Sequence, residues 1–193
     1  MRIIAGALKG RTLDSPTWDG LRPTSDRLRE TLFNVLGQTL DGQRVLDVCT
    51  GTGAVAIEAL SRGAAHVTCL DHDARACALV RTNAARLGVE NRCMIVRGEA
   101  PASITAGRLG GPFDVIVLDP PYAAPWIDQA VAAAAVLLAP GGRLVLEHGA
   151  KHAAPRVPGL ELERTRRQGD SALTTYRAAG EGTHHGREKA KKR

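Results

Sequence analysis

The chain has 193 residues, of which 44% are hydrophobic and 24% charged, and these proportions are typical of one folded, water-soluble domain. No apolar run approaches the ~18 residues of a membrane span, and the opening residues lack the apolar core of a secretory signal, so we expect a cytoplasmic protein without a membrane segment. The net charge of +6 suits a polyanionic partner, although mildly basic proteins of other kinds are common.

The first forty residues are predicted to form a small extension that precedes the main domain. Residues 1–22 alternate short apolar runs with Gly and Pro, which favours a hairpin or arm. Thr24 or Ser25 can cap the helix that follows, and Gly37 can end it. We therefore expect an N-terminal arm and helix over residues 1–40.

From residue 41 to residue 179, apolar strands alternate with helices. The predicted strands are 44–49, 67–71, 93–96, 113–119 and 143–147, and the predicted helices are 54–62, 73–87 and 126–138. Apolar strands separated by helices indicate an α/β fold, with a mostly parallel sheet covered on both faces. Residues 160–178 predict a C-terminal antiparallel hairpin, and the basic, aperiodic residues 180–193 predict a disordered tail.

The four cysteines of the chain lie in or near this alternating region, at positions 49, 69, 77 and 93. They form no C-x-x-C pair, and no histidine lies near them at metal-ligand spacing. We therefore expect reduced thiols and no metal site.

A glycine-rich turn closes the first strand and opens the next helix. Gly51 and Gly53 permit a tight turn and a close approach of the backbone to a ligand. The run Gly51-Thr52-Gly53-Ala54-Val55-Ala56 also satisfies the loose pattern G-x-G-x-x-G/A, so a dinucleotide-dependent dehydrogenase must be considered. Asp71, which ends the second strand, can accept from a ribose hydroxyl in either class of protein.

Asp47 favours S-adenosylmethionine over a dinucleotide. Its carboxylate lies just before the turn, where it would repel a pyrophosphate but hold the ammonium of the methionine moiety. The alternative is that Asp47 only caps the turn. His72, beside Asp71, and the pair Glu99 and Ala100 after the third strand are further cofactor candidates, although Glu99 can equally begin a helix. No histidine offers a convincing acid or base for hydride transfer.

The tetrapeptide Asp119-Pro120-Pro121-Tyr122 follows the fourth strand, at the same edge of the sheet as Asp47 and Asp71. Two prolines fix the backbone, so that the Asp119 carboxylate and the Pro120 carbonyl can both accept from one amino group. Tyr122 offers a face for stacking. Because the amino nitrogen of a base is a poor nucleophile, such positioning predicts methyl transfer to an exocyclic amino group of an extruded or unpaired base. The alternative is a plain turn at the end of a strand.

Two stretches of the sequence resemble the bacterial 16S ribosomal RNA (guanine(966)-N2)-methyltransferases, which have the class I methyltransferase, Rossmann-like fold. One is residues 22–34, RPTSDRLRETLFN, and the other is the tetrapeptide in the family's motif position. The opening residues 2–11 are also similar to the family's start. The resemblance implies S-adenosylmethionine as the cofactor and guanine N2 of 16S rRNA as the target, within the small ribosomal subunit or an assembly intermediate. We expect a monomer.

The resemblance also implies that the N-terminal extension contacts RNA. The RNA-binding candidates are Arg11, Arg22, Thr24 and Arg27. Arg29, on the same predicted helix, is as well explained by a solvated helix face. One departure from the family is Cys49-Thr50, where many members carry Phe-Ala, and we expect it to change the packing around the methionine moiety rather than the chemistry.

Other functions share parts of this pattern. A DNA methyltransferase acting on adenine N6 or cytosine N4 uses similar acceptors, but such enzymes usually need a target-recognition domain. A protein glutamine methyltransferase also holds an amide in this way, but a basic arm and a basic tail suit it less well. An RNA-binding protein without catalysis would not need both Asp47 and the tetrapeptide.

Overall fold

The computed structural model describes residues 1–18 and 26–179. The predicted caps at Thr24 and Ser25, and the predicted basic tail from residue 180, lie outside these residues. No helix in the described ranges combines the length and the apolar character that crossing a bilayer would require.

Seven strands form one sheet. They are β1 (Arg44–Val48), β2 (His66–Asp71), β3 (Cys93–Arg97), β4 (Phe113–Leu118), β5 (Leu138–Gly149), β6 (Leu160–Gln168) and β7 (Ser171–Ala178). Their order in space is β3-β2-β1-β4-β5-β7-β6. Strands β1 to β5 pair in parallel, whereas β7 runs antiparallel between β5 and β6. The mostly parallel sheet with a C-terminal antiparallel hairpin is confirmed.

Helices cover both faces of this sheet. They are α1 (Asp26–Leu36), α2 (Ala54–Ser61), α3 (Ala74–Leu87), α4 (Ala100–Thr105) and α5 (Ile127–Ala135), and one 3-10 turn lies at Glu90–Arg92. Residues of α1, α2 and α3 form a core on one face, and residues of α4 and α5 form a second core on the other. The two cores explain why β1, β4 and the second half of β5 are largely buried on both faces.

The predicted helix over 126–138 is too long, and the predicted strand over 143–147 is too short. The helix ends at Ala135, because the carbonyl of Leu137 accepts from the amide of Phe113 and Leu138 already pairs with that residue. β5 therefore begins five residues earlier than the apolar run alone indicates.

The N-terminal residues form the predicted hairpin, with a β-bridge between Arg2 and Thr12. Glu58, in the middle of α2, accepts hydrogen bonds from the amides of Ile4 (2.7 Å) and Ala5 (2.9 Å). A Cβ on Gly6 would lie 1.9 Å from the carbonyl oxygen of Ser61, so glycine allows the hairpin to lie directly on α2.

Arg29 does not lie on a solvated face, and that interpretation is wrong. The side chain is 0% exposed and donates to the carbonyl of Arg2 (2.6 Å) and to Asp26 (2.9 Å). Arg29 thus ties α1 to the hairpin. Burial lowers its pKa, and the neighbouring carboxylates of Asp26 and Glu58 oppose that effect.

The spatial order of the strands reverses direction between β1 and β4. β2 and β3 lie on one side of this point, and β5, β7 and β6 on the other. The connections after β1 and β4 therefore leave in opposite directions and open a crevice at the carboxyl ends of the strands, which is where open α/β sheets bind ligands.

Candidate active site

A cleft of about 1200 Å³ opens at this crevice. It brings together most of the residues that the sequence singled out: Asp47, Gly51, Asp71, His72, Glu99, Asp119, Pro120 and Tyr122. The glycine turn and β2 supply one side of the cleft, and the loop after β4 supplies the other. The two predicted groups of residues therefore share one cavity.

The glycine turn has the geometry that glycine makes available. Gly53 begins α2 with φ 74°, and a Cβ there would lie 2.9 Å from the Val80 side chain. Both the left-handed backbone and the contact with α3 exclude a larger residue. Gly53 shapes the turn, whereas Gly51 lines the cleft itself.

Asp71 is fixed by the backbone around it. It accepts from the amides of Gly51 and Asp73, both at 2.9 Å, and the His72 ring nitrogen Nδ1 lies 3.4 Å from its Oδ1. A carboxylate has about four acceptor positions, so these contacts orient Asp71 and leave capacity for a hydroxyl donor in the cleft.

Asp47 both holds the turn and faces the cleft. Its side chain is nearly inaccessible, with 2% exposed, and its Oδ2 accepts from the Thr50 hydroxyl at 2.6 Å. Burial raises the pKa of Asp47 to about 7, although the hydrogen bonds from Thr50 and the Ala56 amide act in the opposite direction. A cationic group in the cleft would favour the charged form.

Cys49 has an unusual backbone that the sequence analysis did not foresee. Its φ is 61°, in the left-handed region, which costs a residue with a Cβ about 1 kcal/mol. The amides of Cys49 and Thr50 both donate to the carbonyl of Leu70, and these two hydrogen bonds turn the chain into the cleft. Burial raises the pKa of the Cys49 thiol. No sequence signal marks such a conformation at a cysteine.

The tetrapeptide is anchored at both ends. The Asp119 amide donates to the carbonyl of Val48 at 3.2 Å, which continues the pairing of β4 with β1 into the cleft. The Tyr122 hydroxyl donates to Glu147 Oε1 (2.7 Å) and lies 2.5 Å from the Ser171 hydroxyl. Burial raises the pKa of Tyr122 to about 12, so the phenol keeps its proton. Sequence reasoning missed Glu147 and Ser171, because only strand pairing brings them to this loop.

The cleft is strongly acidic. Seven carboxylate side chains line it: Asp47, Asp71, Asp73, Glu99, Asp119, Glu147 and Asp170. Among the described lining residues the one guanidinium is that of Arg75, which is paired with Asp73 at 2.7 Å. An anionic dinucleotide is disfavoured in such a field, whereas a ligand with net positive charge is attracted. No group of His, Cys, Asp and Glu in residues 1–18 and 26–179 could hold a metal ion.

The remaining predicted residues differ in position. Glu99 is exposed at the start of α4 and lines the cleft, whereas Ala100 is buried and is not part of the lining. Arg11 is exposed on the hairpin and Arg27 is exposed on α1, and neither lines the cleft. Arg22 and Thr24 lie outside the described residues. The N-terminal part reaches the cleft instead through the apolar side chains of Trp18 and Leu28.

Comparisons with known proteins agree with this architecture. The family model described as "Conserved hypothetical protein 95" matches residues 1–177. The Bacillus subtilis protein named "Putative rRNA methyltransferase YlbH" is 33% identical over 188 residues, which cover 93% of this chain and 100% of that protein. "Ribosomal RNA small subunit methyltransferase D" of Escherichia coli K12 is 32% identical, over 94% of this chain and 92% of that protein.

A solved structure shares the fold as well as the sequence. It is titled "Putative methyltransferase yhhF from Escherichia coli" and superposes with a TM-score of 0.82 at 32% identity. The match covers 92% of this chain and 97% of that one. The similarity therefore extends over the extension, the sheet and the terminal hairpin together.

Proposed function

This chain belongs to the family described as conserved hypothetical protein 95, and we propose that it methylates the N2 amino group of a guanine in 16S rRNA. The broader activity, S-adenosylmethionine-dependent methylation of ribosomal RNA, follows from relatives that are named rRNA methyltransferases and that match nearly the whole chain. The nucleotide and the roles of individual residues are the parts that we propose.

The observation that carries the proposal is the shared cleft. Asp47, Gly51 and Asp71 line one side, and Asp119 and Tyr122 line the other. A cofactor held by the first group would lie next to a base held by the second. Methyl transfer requires two bound reactants in contact, and this arrangement supports it.

The residues of the first group suit S-adenosylmethionine, which when bound supplies a sulfonium methyl group. The acidic lining matches the net positive charge of this cofactor. We assign Asp71 to the ribose hydroxyls, Asp47 to the methionine ammonium and Glu99 to the adenine. Asp71 is already oriented by two amides, so that little further ordering is needed on binding.

The residues of the second group suit an aromatic amine. Asp119 and the Pro120 carbonyl accept from the two hydrogens of the amino group, which favours a pyramidal nitrogen and directs its lone pair away from the ring. Tyr122 stacks on the base and fixes its plane. The phenol and the carboxylates stay in place while the methyl moves, so catalysis consists of positioning and preorganised electrostatics.

The proposed substrate must present an unstacked base. Guanine N2 inside a helix cannot enter a cleft bounded by the sheet edge, so the base is extruded or taken from an unpaired segment. Within this proposal the partner is 16S rRNA in the small subunit or in an assembly intermediate, and the enzyme acts as a monomer.

The test is a methyl-transfer assay with labelled S-adenosylmethionine and three substrates: unmethylated small subunits, naked 16S rRNA and duplex DNA. We expect label in rRNA, at N2 of one guanine when the product is digested and examined by mass spectrometry. Label on an adenine or a cytosine of DNA would contradict the proposal, and so would label on a glutamine of a protein.

A further inference from the structure

We propose that the cleft end of β6 holds the backbone of the RNA strand that flanks the target base. The surface consists of Arg164 and Arg166 on one face of this edge strand and Arg167 on the other face, and the three are here called the β6 arginine row. This inference rests on the proposed rRNA substrate, and it adds a backbone-binding surface separate from the cleft.

The β6 arginine row lies beside the mouth of the cleft. β6 is one of the two edge strands of the sheet and, among the described residues, pairs only with β7. It runs towards the carboxyl end of the sheet, where its last residue, Gln168, lines the cleft together with the turn residues Gly169 and Asp170. The three arginines precede Gln168 by one to four residues. An RNA strand that leaves the cleft over this turn would therefore pass them.

The guanidinium groups of the row are available to a ligand. All three side chains are exposed. Within residues 1–18 and 26–179, no carboxylate lies within 4.0 Å of any of them, whereas Arg177 on β7 is paired with Glu163 at 2.5 Å. Exposed guanidinium groups without an intramolecular partner are suited to phosphate oxygens.

Charge is sorted by sign along β6. The far half carries Glu161 and Glu163, and the half next to the cleft carries the β6 arginine row. Charges of either sign would protect an edge strand from unwanted pairing, so protection alone does not explain the sorting. A positive segment at the cleft end indicates an anionic partner there.

The acidity of the cleft makes such a surface necessary for an RNA substrate. Seven carboxylates line the cavity, and they repel phosphates while they admit an uncharged base. The backbone must therefore be held outside the cavity, and cationic side chains at its rim supply most of the affinity for a nucleic acid. The β6 arginine row is placed to do this.

The cleft end of β6 contacts α1. The Thr31 hydroxyl donates to Gln168 Oε1 at 2.9 Å, so the last residue of β6 contacts this helix. Because side chains alternate along a strand, Arg164 and Arg166 share the face of Gln168, about 6 to 7 Å apart. Arg27 is exposed on α1, one helical turn before Thr31, so a further guanidinium is carried by the helix that contacts this end of β6.

The experiment compares two triple variants with the same change of charge. One is R164Q/R166Q/R167Q, and the other is the control R81Q/R108Q/R156Q, whose arginines are exposed on α3 and on loops and do not line the cleft. A third variant, R164K/R166K/R167K, keeps the positive charge. Binding to a 16S rRNA fragment is measured at several salt concentrations, and methyl transfer is measured on unmethylated small subunits.

For the glutamine variant of the row, we expect the slope of log affinity against log salt to fall by about 2, at ~0.7 per lost phosphate contact on single-stranded RNA. Between about 50 and 200 mM salt the native chain then loses roughly 20-fold more affinity than this variant. The lysine variant and the control triple keep the native slope. Affinity for S-adenosylmethionine and the unfolding midpoint stay unchanged, which shows that the variant is folded.

An unchanged slope in the glutamine variant would overturn the inference, as would an equal loss in the control triple. A loss confined to intact subunits, with native binding to naked RNA, would assign the row to a protein contact instead. If the native chain itself methylates no RNA, the proposed function fails. The measurement on the native chain alone gives this result, whatever the variants do.

Discussion

The Tyr122 hydroxyl donates a 2.7 Å hydrogen bond to Glu147, and this bond joins the loop after β4 to the end of β5. Ser171 at the start of β7 contacts the same hydroxyl, and a Cβ on Gly149 would lie 3.5 Å from the ring. The orientation of the ring is thus set by two neighbouring strands before any base arrives. A stacking surface that is fixed in advance costs less ordering when the substrate binds.

Tyr122→Phe separates the hydroxyl from the ring. The variant keeps a stacking face but removes the donor to Glu147, so we expect kcat/KM for RNA to fall about tenfold, the value of one hydrogen bond. Tyr122→Ala also removes stacking, which contributes about 1 to 3 kcal/mol, and should lose a further factor of roughly 5 to 150. Steady-state kinetics and cofactor binding check this. Equal losses in the two variants would show that the hydroxyl, and not the ring, matters.

Asp119→Ala tests the proposed acceptor of the amino group. We expect kcat to fall by about 10² to 10³, which is typical when one preorganised polar contact to the transition state is removed. Affinity for S-adenosylmethionine, measured by calorimetry, should stay close to native, because Asp71 and Asp47 lie on the other side of the cleft. Glu161→Ala is the control, since this acidic residue is exposed and does not line the cleft. Unchanged turnover in Asp119→Ala would refute the assigned role.

The raised pKa of Asp47 predicts that the affinity for S-adenosylmethionine depends on pH. This pKa in the unliganded protein is about 7, so the carboxylate gains a proton as the pH falls through 7 and loses its attraction for an ammonium. We expect S-adenosylmethionine to bind more weakly at pH 6 than at pH 8. In Asp47→Asn the affinity should be low and this dependence absent. Calorimetry over that range decides it, and a native chain with no dependence would contradict the assignment.

The same residue predicts how stability changes with pH. The folded pKa of about 7 exceeds the unfolded value of about 3.9, so the folded state binds the extra proton between these values. The free energy of unfolding of the apo protein should therefore fall as the pH rises through this window, by a few kcal/mol at most. Denaturant titrations at pH 5 and pH 8 should show a smaller difference in Asp47→Asn than in the native chain.

Much of the fold and the main motifs of the site could be predicted because local patterns encode them. Strands β1 and β4 are mostly apolar runs that each contain one aspartate, and the turn at Gly51 and the tetrapeptide after β4 follow them closely. Parallel strands bring such carboxyl ends to one edge, so the shared cleft follows from the order of elements. Glu147 and Ser171 could not be found in this way, because their contact with Tyr122 depends on the pairing of β5 with β7.

The burial of charged side chains in the core was the second feature that the sequence did not predict. Arg29 and Glu58 are charged residues, a type that is usually exposed, and their burial depends on partners distant in sequence as well as on Asp26 and Arg62 close by in sequence. Arg29 finds the carbonyl of Arg2, 27 positions away, and Glu58 finds two amides of the hairpin more than 50 positions away. A helical pattern describes the polarity of a side chain but carries no information on what covers it.

Glu58→Ala tests how strongly the hairpin depends on this buried carboxylate. Glu58 is 0% exposed and is paired with Arg62 at 2.9 Å, and Arg62 also lies 4.5 Å from the centre of the Phe33 ring. Removing the carboxylate takes the ion-pair partner from the buried Arg62 guanidinium, which keeps its hydrogen bonds to Gln38, and leaves two hairpin amides without an acceptor, so we expect a loss of about 3 to 5 kcal/mol in the free energy of unfolding.

Hydrogen exchange separates the two consequences of this substitution. Exchange at the amides of Ile4 and Ala5 should become fast in Glu58→Ala, because these amides donate to the carboxylate that is removed. In Glu58→Gln an acceptor oxygen remains, so the amides should stay partly protected while the ion pair is lost. Glu161→Ala, an exposed position on β6, is the control and should change stability by less than about 0.5 kcal/mol. Native stability in Glu58→Ala would mean that the hairpin is held by its apolar contacts, Ile3 and Leu13, which lie in the same core as α1 and α2.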